Sequence, residues 1–206
     1  MMLYDATAAP NPRRVRVFLA EKGIEVPLVQ VDMGQGEHKR PEFLKKHPSG
    51  KIPVLELDDG TCIGESVAIC RYFEAIQPEP NLFGRTPVEL GVIEMHNRIL
   101  EFELLAQVGI AWVNGPIVAK MAPGRFTQIP EAKAQAEAAV KRFYARLDRE
   151  LGVREFMAGD RYSIADITGL CVIDFAASLV GLPPGADLVN LGRWHAAVSA
   201  RPSARA

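Results

Sequence analysis

The chain has 206 residues, 48% of them hydrophobic and 24% charged, with a formal net charge of −1. That length suffices for one large or two small cores, the composition is that of a globular protein, and interspersed charges provide no basic field to draw nucleic acid. Three scattered cysteines without CxxC spacing, Cys62, Cys70 and Cys171, argue against a disulfide scaffold, a zinc site or a protein-borne dithiol. The opening MMLYDATAAP has neither the charged n-region nor the apolar core of a secretory signal. The longest apolar stretch, residues 167–182, is interrupted by Asp174 and is too short to span a bilayer. The expectation is a cytoplasmic protein with neither nucleic acid nor membrane as partner.

In chain order, residues 2–4 read as a short strand and 5–10 as a loop of small residues. Asn11-Pro12 reads as a helix start, since Asn is a favoured N-cap and Pro suits the first helical position. Val15, Phe18 and Leu19 form its buried stripe and Gly23 ends it. Arg13, Arg14 and Arg16 crowd the first turn, where cations oppose the macrodipole. They form either a solvated or salt-bridged face, or a group serving an anion at this end of the helix. A second strand is expected over 26–31, a polar loop over 33–40 and a short helix over 41–46.

The stretch HPSGKIPVLELDDGTCIGES, residues 47–66, is the centre of this half of the chain. Turn formers lead into a short strand at 54–57, Asp59-Gly60 signals a hairpin, and residues 61–63 return as the partner strand. Pro53 stands at a strand entrance, where its missing N–H has no pairing to lose. A cis bond before it turns the backbone of Ile52 outward and leaves its N–H and C=O free, able to pair with an extended peptide. Glu65-Ser66 opens a helix over 66–77, and unpaired N–H groups at a helix start collect anions. An acidic side chain there can hold an ammonium. One short segment thus offers a backbone clamp, a carboxylate seat and an amine seat for a small peptide. The plainer alternative is strand punctuation at Pro53 and an ordinary helix cap at Ser66. Strand-helix-strand followed by a hairpin predicts a right-handed parallel crossover with antiparallel strands added to the same sheet.

Residues 1–77 therefore read as an α/β domain, 78–86 as a linker around Gln77-Pro78-Glu79-Pro80-Asn81, and 87–206 as an all-helical domain. A long helical pattern covers 87–113, and an amphipathic one, with Val140, Phe143, Leu147 and Leu151 at helical spacing, covers 131–151. Ser163-Ile164-Ala165-Asp166 resembles a capping box, flanked by Tyr162 and Ile167 at the positions of a hydrophobic staple. It starts a core helix ending near Gly181. Leu188, Leu191, Trp194 and Val198 line a last helix before a frayed tail.

Four stretches, AAPNPRRVRVFLAEKGIEV, GEHKRPEFLKKHPSGKIPVLE, GESVAICRYFE and RYSIADIT, stand in the order and spacing of the cytosolic glutathione transferases, which the whole chain resembles. The resemblance implies a thioredoxin-like domain followed by an α-helical domain, assembled as a two-fold homodimer. It implies a detoxification enzyme with glutathione as co-substrate, no metal, and an apolar electrophile as the second substrate. Ile52, before Pro53, matches the position whose backbone pairs with the cysteinyl part of glutathione. Glu65 and Ser66 match the pair holding the γ-glutamyl ammonium and carboxylate, and Lys51 and His38 match positions near the glycyl carboxylate.

The departure lies at the thiol. Where relatives carry a hydroxyl, this chain has Ala8 and Ala9. Tyr4 reads as a core aromatic, Thr7 lies two residues early, and Asn11 remains as a donor beside the expected sulfur. The nucleophile is the thiolate, so Asn11 and backbone N–H groups at the helix start are the expected activators. The electrophile site is expected between the domains, with Phe102, Ala106, Ile110 and Trp112 as candidates from periodicity and position. Two other functions remain open, a glutathione-dependent disulfide or peroxide reductase and a non-catalytic glutathione-binding scaffold.

Overall fold

The computed structural model describes residues 1–206. Strand β1 (Met2–Asp5) leads into helix α1 (Pro10–Lys22), strand β2 (Leu28–Gln30), a short 3-10 turn (Glu37–Lys39) and helix α2 (Pro41–Lys46). Strands β3 (Val54–Glu56) and β4 (Cys62–Ile63) form the hairpin, and helix α3 (Ser66–Ile76) follows. The sheet order is β2-β1-β3-β4. β1 runs parallel to β2, with Leu3 opposite Leu28, and antiparallel to β3, with Leu3 opposite Leu55. β3 and β4 are antiparallel, Leu55 facing Ile63. This is the mixed sheet that the strand-helix-strand-hairpin order predicts, and it is thioredoxin-like.

Val15, Val17, Phe18 and Leu19 of α1, with Ile69, Cys70 and Phe73 of α3, are buried. On the other face Val31, Phe43 and Val54 form a cluster against which Tyr4, Ile52 and Cys62 pack. Gly23 ends α1 in the left-handed conformation, as its position in the sequence suggests.

The chain divides into one unit of Met1–Leu82 with Pro202–Ala206 and a second of Phe83–Arg201. Residues 77–82 belong to the first because the buried Lys22 grips them. Its Nζ donates to the carbonyls of Gln77 and Pro80, each at 2.7 Å, and pairs with Glu74 at 2.5 Å. The tail does not fray. Pro202–Arg205 forms a 3-10 turn, with the Ala204 carbonyl accepting from Arg13 at 2.9 Å and Ser203 donating to Glu21.

In the second unit, α4 (Pro87–Ile99), a π-helical segment (Leu100–Leu105) and α5 (Ala106–Val113) make up the long helical stretch read from the sequence. Then come α6 (Pro116–Met121), α7 (Pro130–Leu151), α8 (Ile164–Phe175) with a second π segment (Ala176–Val180), and α9 (Val189–Ser199). Val140, Phe143, Leu147 and Leu151 are all buried on α7. Ser163 and Asp166 form the expected capping box at the start of α8. Asp166 does more than cap. Its buried carboxylate also accepts from the Met157 N–H and Trp194 Nε1, each at 2.8 Å. No helix is long and apolar enough to cross a membrane.

Candidate functional site

Helix α1 begins two residues earlier than Asn11-Pro12 suggests. Ala9 is the N-cap and Pro10 the first helical residue, and no side chain caps the helix. Proline fits the first position because its fixed φ is helical, and a second one is tolerated where the N–H would be unpaired anyway. Asn11 thus lies inside the first turn. A helix start leaves four amides without intrahelical partners, but here Pro10 and Pro12 have no N–H, and the Ala9 N–H donates to the Ala6 carbonyl at 3.0 Å. Only the Asn11 N–H is left open. The Asn11 Oδ1 is buried without a partner, and its Nδ2 makes no hydrogen bond within the chain.

The loop ahead of this turn is held by polar side chains. The buried Asp5 accepts from Arg16 and, at 2.5 Å, from Gln30 Nε2. Gln30 Oε1 in turn accepts from the Thr7 hydroxyl at 2.9 Å, and Arg16 Nη2 donates to the Thr7 carbonyl at 3.0 Å. The Thr7 hydroxyl is therefore committed. So is that of Tyr4, which donates to Glu56 Oε2 at 2.7 Å, while its ring meets Phe43 edge-on with centroids 5.7 Å apart. Burial and the Glu56 hydrogen bond hold the Tyr4 phenol above its ordinary pKa. Tyr4 is a core aromatic, as the sequence suggests.

The three arginines of α1 do not form one solvated face. Arg13 and Arg16 tie down the tail and the loop. Arg14 is 1% exposed and donates through Nη1 to the Ser66 hydroxyl oxygen at 2.6 Å. The sequence shows Arg14 only as a cation in an unfavourable place. Its partner, 52 residues away, is a fact of packing.

The Ile52–Pro53 bond is cis. The Ile52 N–H and C=O take part in none of the chain's backbone hydrogen bonds, and Lys51 beside it is exposed. His38 is buried. Its carbonyl lies so close to Gly50 (φ 58°) that a Cβ there would collide with it. Lys39 Nζ donates to the Ser49 carbonyl at 2.7 Å, so the 37–39 turn braces the residues that lead into Lys51 and Ile52. A side chain at Gly64 would run into the His47 ring, which would have to turn aside.

Glu65 is the single non-glycine residue with positive φ, 60°, in a region that costs about 1–3 kcal/mol for an L side chain. Such strain persists where surrounding structure fixes it, and here it stands at the N-cap of α3 with the Glu65 side chain exposed. Ser66 is buried. The N–H groups of Ser66, Val67 and Ala68 have no backbone partner, Ile69 being the first to donate back, to the Glu65 carbonyl.

Of the four electrophile candidates, Phe102 in the π segment is 69% exposed and Ile110 39%, and Ala106 is exposed between them. Trp112 is half-buried and stacks edge-on against Phe175 with centroids 5.2 Å apart. No group of three or more His, Cys, Asp or Glu side chains is placed to hold a metal ion.

Two family models match the chain, the glutathione S-transferase N-terminal domain over residues 8–76 and its C-terminal domain over 112–202. Glutathione S-transferase 2 of Saccharomyces cerevisiae is 39% identical, an alignment covering all of this chain and 88% of that protein. The chain belongs to the glutathione S-transferase family. Among solved structures, Gtt2 of Saccharomyces cerevisiae superposes with a TM-score of 0.89 at 39% identity, covering 100% of this chain and 99% of that one. A glutathione S-transferase domain-containing protein of Marinobacter aquaeolei gives 0.88 at 38%, covering 98% and 99%. A class Gtt2 glutathione S-transferase of Vibrio parahaemolyticus gives 0.85 at 34%, covering 98% and 94%. What the sequence does not signal in this family member is the strain at Glu65 and the Arg14–Ser66 bond, because both arise from contacts between distant segments.

Proposed function

We propose that the chain is a glutathione transferase that presents the glutathione sulfur, as thiolate, to an apolar electrophile. The observation that carries the reading is the start of α1, which offers one open N–H, that of Asn11, and an unused amide NH₂ on the same residue. Both can donate to a sulfur anion, and donation to the charged form lowers a thiol pKa. The thiol proton leaves to solvent. The thiolate attacks the electrophilic carbon, a C–S bond forms, and the leaving group departs with its electron pair.

For glutathione itself, the open backbone of Ile52 supports pairing with the cysteinyl unit as an added strand. The open amides at the start of α3 and the Ser66 hydroxyl suit the γ-glutamyl carboxylate, and the exposed Glu65 suits its ammonium. Lys51 is exposed and can meet the glycyl carboxylate. The buried His38 serves that end by bracing the Gly50 turn through its backbone. Phe102, Ala106 and Ile110, exposed and apolar, with Trp112, are the proposed electrophile contacts. We assign the enzyme to detoxification in the cytoplasm without a metal.

A homodimer is supported by Val88 and Met95, 74% and 49% exposed. They lie two turns apart on one face of α4, where paired copies would cover them. The test of the function is a direct comparison. Purified protein should bind immobilised glutathione, develop a thiolate absorbance band at neutral pH, and turn over an aryl halide faster than a glutathione mixed disulfide. A faster disulfide reaction assigns it to the reductases. Binding without a band or turnover makes it a scaffold.

A further inference from the structure

We propose that Arg14 is a positioning residue for glutathione recognition, one that makes the Ser66 hydroxyl an obligatory donor to the γ-glutamyl α-carboxylate. The inference rests on the reading of Ser66 as the seat of that carboxylate and adds the group that enforces it. A serine hydroxyl has one hydrogen to give and two lone pairs to accept with. By itself, a Ser at a helix start turns either way. Here Arg14 Nη1 stands 2.6 Å from the Ser66 oxygen, and a guanidinium has donors only. The Ser66 oxygen must therefore accept from Arg14, and its own hydrogen is left to point away from the guanidinium.

The surroundings favour an anion at the end of that hydrogen. Arg14 is 1% and Ser66 4% exposed, so the charge-assisted bond lies in a low dielectric and is stronger than its counterpart in water. The open N–H groups of Ser66, Val67 and Ala68 and the positive end of α3 bear on the same spot. A cationic group there would leave these donors without an acceptor, and a neutral amide would offer one uncharged oxygen where a carboxylate offers two charged ones. A carboxylate satisfies the hydroxyl and the amides together. Arg14 itself is the fifth residue of α1, close to the end where a cation opposes the helix macrodipole. Holding Ser66 gives that unfavourable placement a function.

The experiment compares glutathione with the analogue whose γ-glutamyl α-carboxylate is a carboxamide. Calorimetry is run on the unmodified protein and on Arg14→Gln, Arg14→Lys, Ser66→Ala and the Arg14→Gln/Ser66→Ala pair. The unmodified protein should prefer glutathione by roughly tenfold to a hundredfold, the range for losing a hydrogen bond to a charged group. Arg14→Gln and Ser66→Ala should each reduce that preference about fivefold or more, leaving the part that the α3 amides supply, the pair should do no more than either alone, and Arg14→Lys should restore part of what is lost. Should the unmodified protein not distinguish the ligands, the Ser66 seat itself falls. Should it distinguish them while Arg14→Gln does so equally well, the seat stands and the role of Arg14 is overturned. A measurement on the unmodified protein covers variants that fail to fold. The Arg14 side-chain Nε–H resonance should move on adding glutathione and stay in place with the carboxamide, and equal responses to both ligands overturn the proposal.

Discussion

Replacing Asp166 with Ala tests how the second unit is held together. The carboxylate accepts four hydrogen bonds: Oδ1 from the Met157 N–H and Trp194 Nε1, each at 2.8 Å, and Oδ2 from the Ser163 N–H at 2.9 Å and the Ser163 hydroxyl at 3.1 Å. Met157, Ser163 and Trp194 are at most 1% exposed, so water cannot replace the lost acceptor. The hydroxyl can rotate, but three N–H donors cannot. At about 1–3 kcal/mol for each buried donor left unpaired, the loss is roughly 3–9 kcal/mol. Part is offset, because burial pushes the Asp166 pKa up to about 6 against the donors that pull it down. Relief of that charge burial returns about 3 kcal/mol at neutral pH. The net expectation is a loss of roughly 0–6 kcal/mol with its centre at about 3 kcal/mol, a large part of the total stability of an ordinary domain. The melting temperature followed by circular dichroism should fall by about 6–12 °C for a loss near that centre. Asp166→Asn should fall between, because an amide oxygen can still serve Met157 and Trp194 while its NH₂ faces the Ser163 N–H. An alanine variant as stable as the unmodified protein, or more stable, would refute the account of Asp166 as the acceptor on which three segments converge.

Asn11→Ala should reduce conjugation at least about tenfold, or about 1.4 kcal/mol of transition-state stabilisation, and weaken the thiolate band of bound glutathione. An unchanged steady-state rate removes the side chain from the mechanism. Tyr4→Phe should leave the rate within about twofold, since its hydroxyl already serves Glu56; a larger drop would make Tyr4 an activator. His96 accepts from Arg154 at 3.0 Å, and burial with the Arg154 charge holds its pKa below the ordinary value against the pull of Glu150. A base depressed in the folded state binds fewer protons there than when unfolded. Its contribution is complete above the ordinary histidine range, near ~6.5, and is lost as pH falls through that value toward the depressed one. Asp166, raised to about 6, takes up its proton over the same interval and works in the opposite sense, so the check is a difference: in urea denaturation the unmodified protein should lose stability relative to His96→Gln as pH falls. Met95→Glu should shift the sedimentation of a homodimer toward the monomer, whereas an unchanged dimer would move the interface off this face of α4.

Local signals carried much of the site. Asp59-Gly60 located the hairpin, Pro53 marked the strand entrance, and Gly64-Glu65-Ser66 marked a helix start, because turn and cap chemistry depends on neighbours in sequence. Asn11-Pro12 places the start of α1 two residues late, since the helix begins at Pro10. Asn11 is a good cap and Pro10 an equally good first residue, and propensity alone does not choose between two overlapping solutions. The choice has chemical consequences, because beginning at Pro10 places both prolines in the first turn and leaves Asn11 with the one open amide.

By itself, the sequence determined the order of elements, the two-part architecture, the mixed sheet and the candidate residues along one edge of the first unit. Those follow from hydrophobic periods and backbone restrictions that act over a few residues. Only the tertiary structure decided which polar groups are committed. The hydroxyls of Tyr4 and Thr7 are consumed by Glu56 and Gln30, Arg14 reaches Ser66 across 52 positions of chain, and Glu65 is held at a φ that no propensity would choose. A hydrogen bond between distant segments depends on how sheet and helices pack, and burial then decides whether it is strong enough to matter.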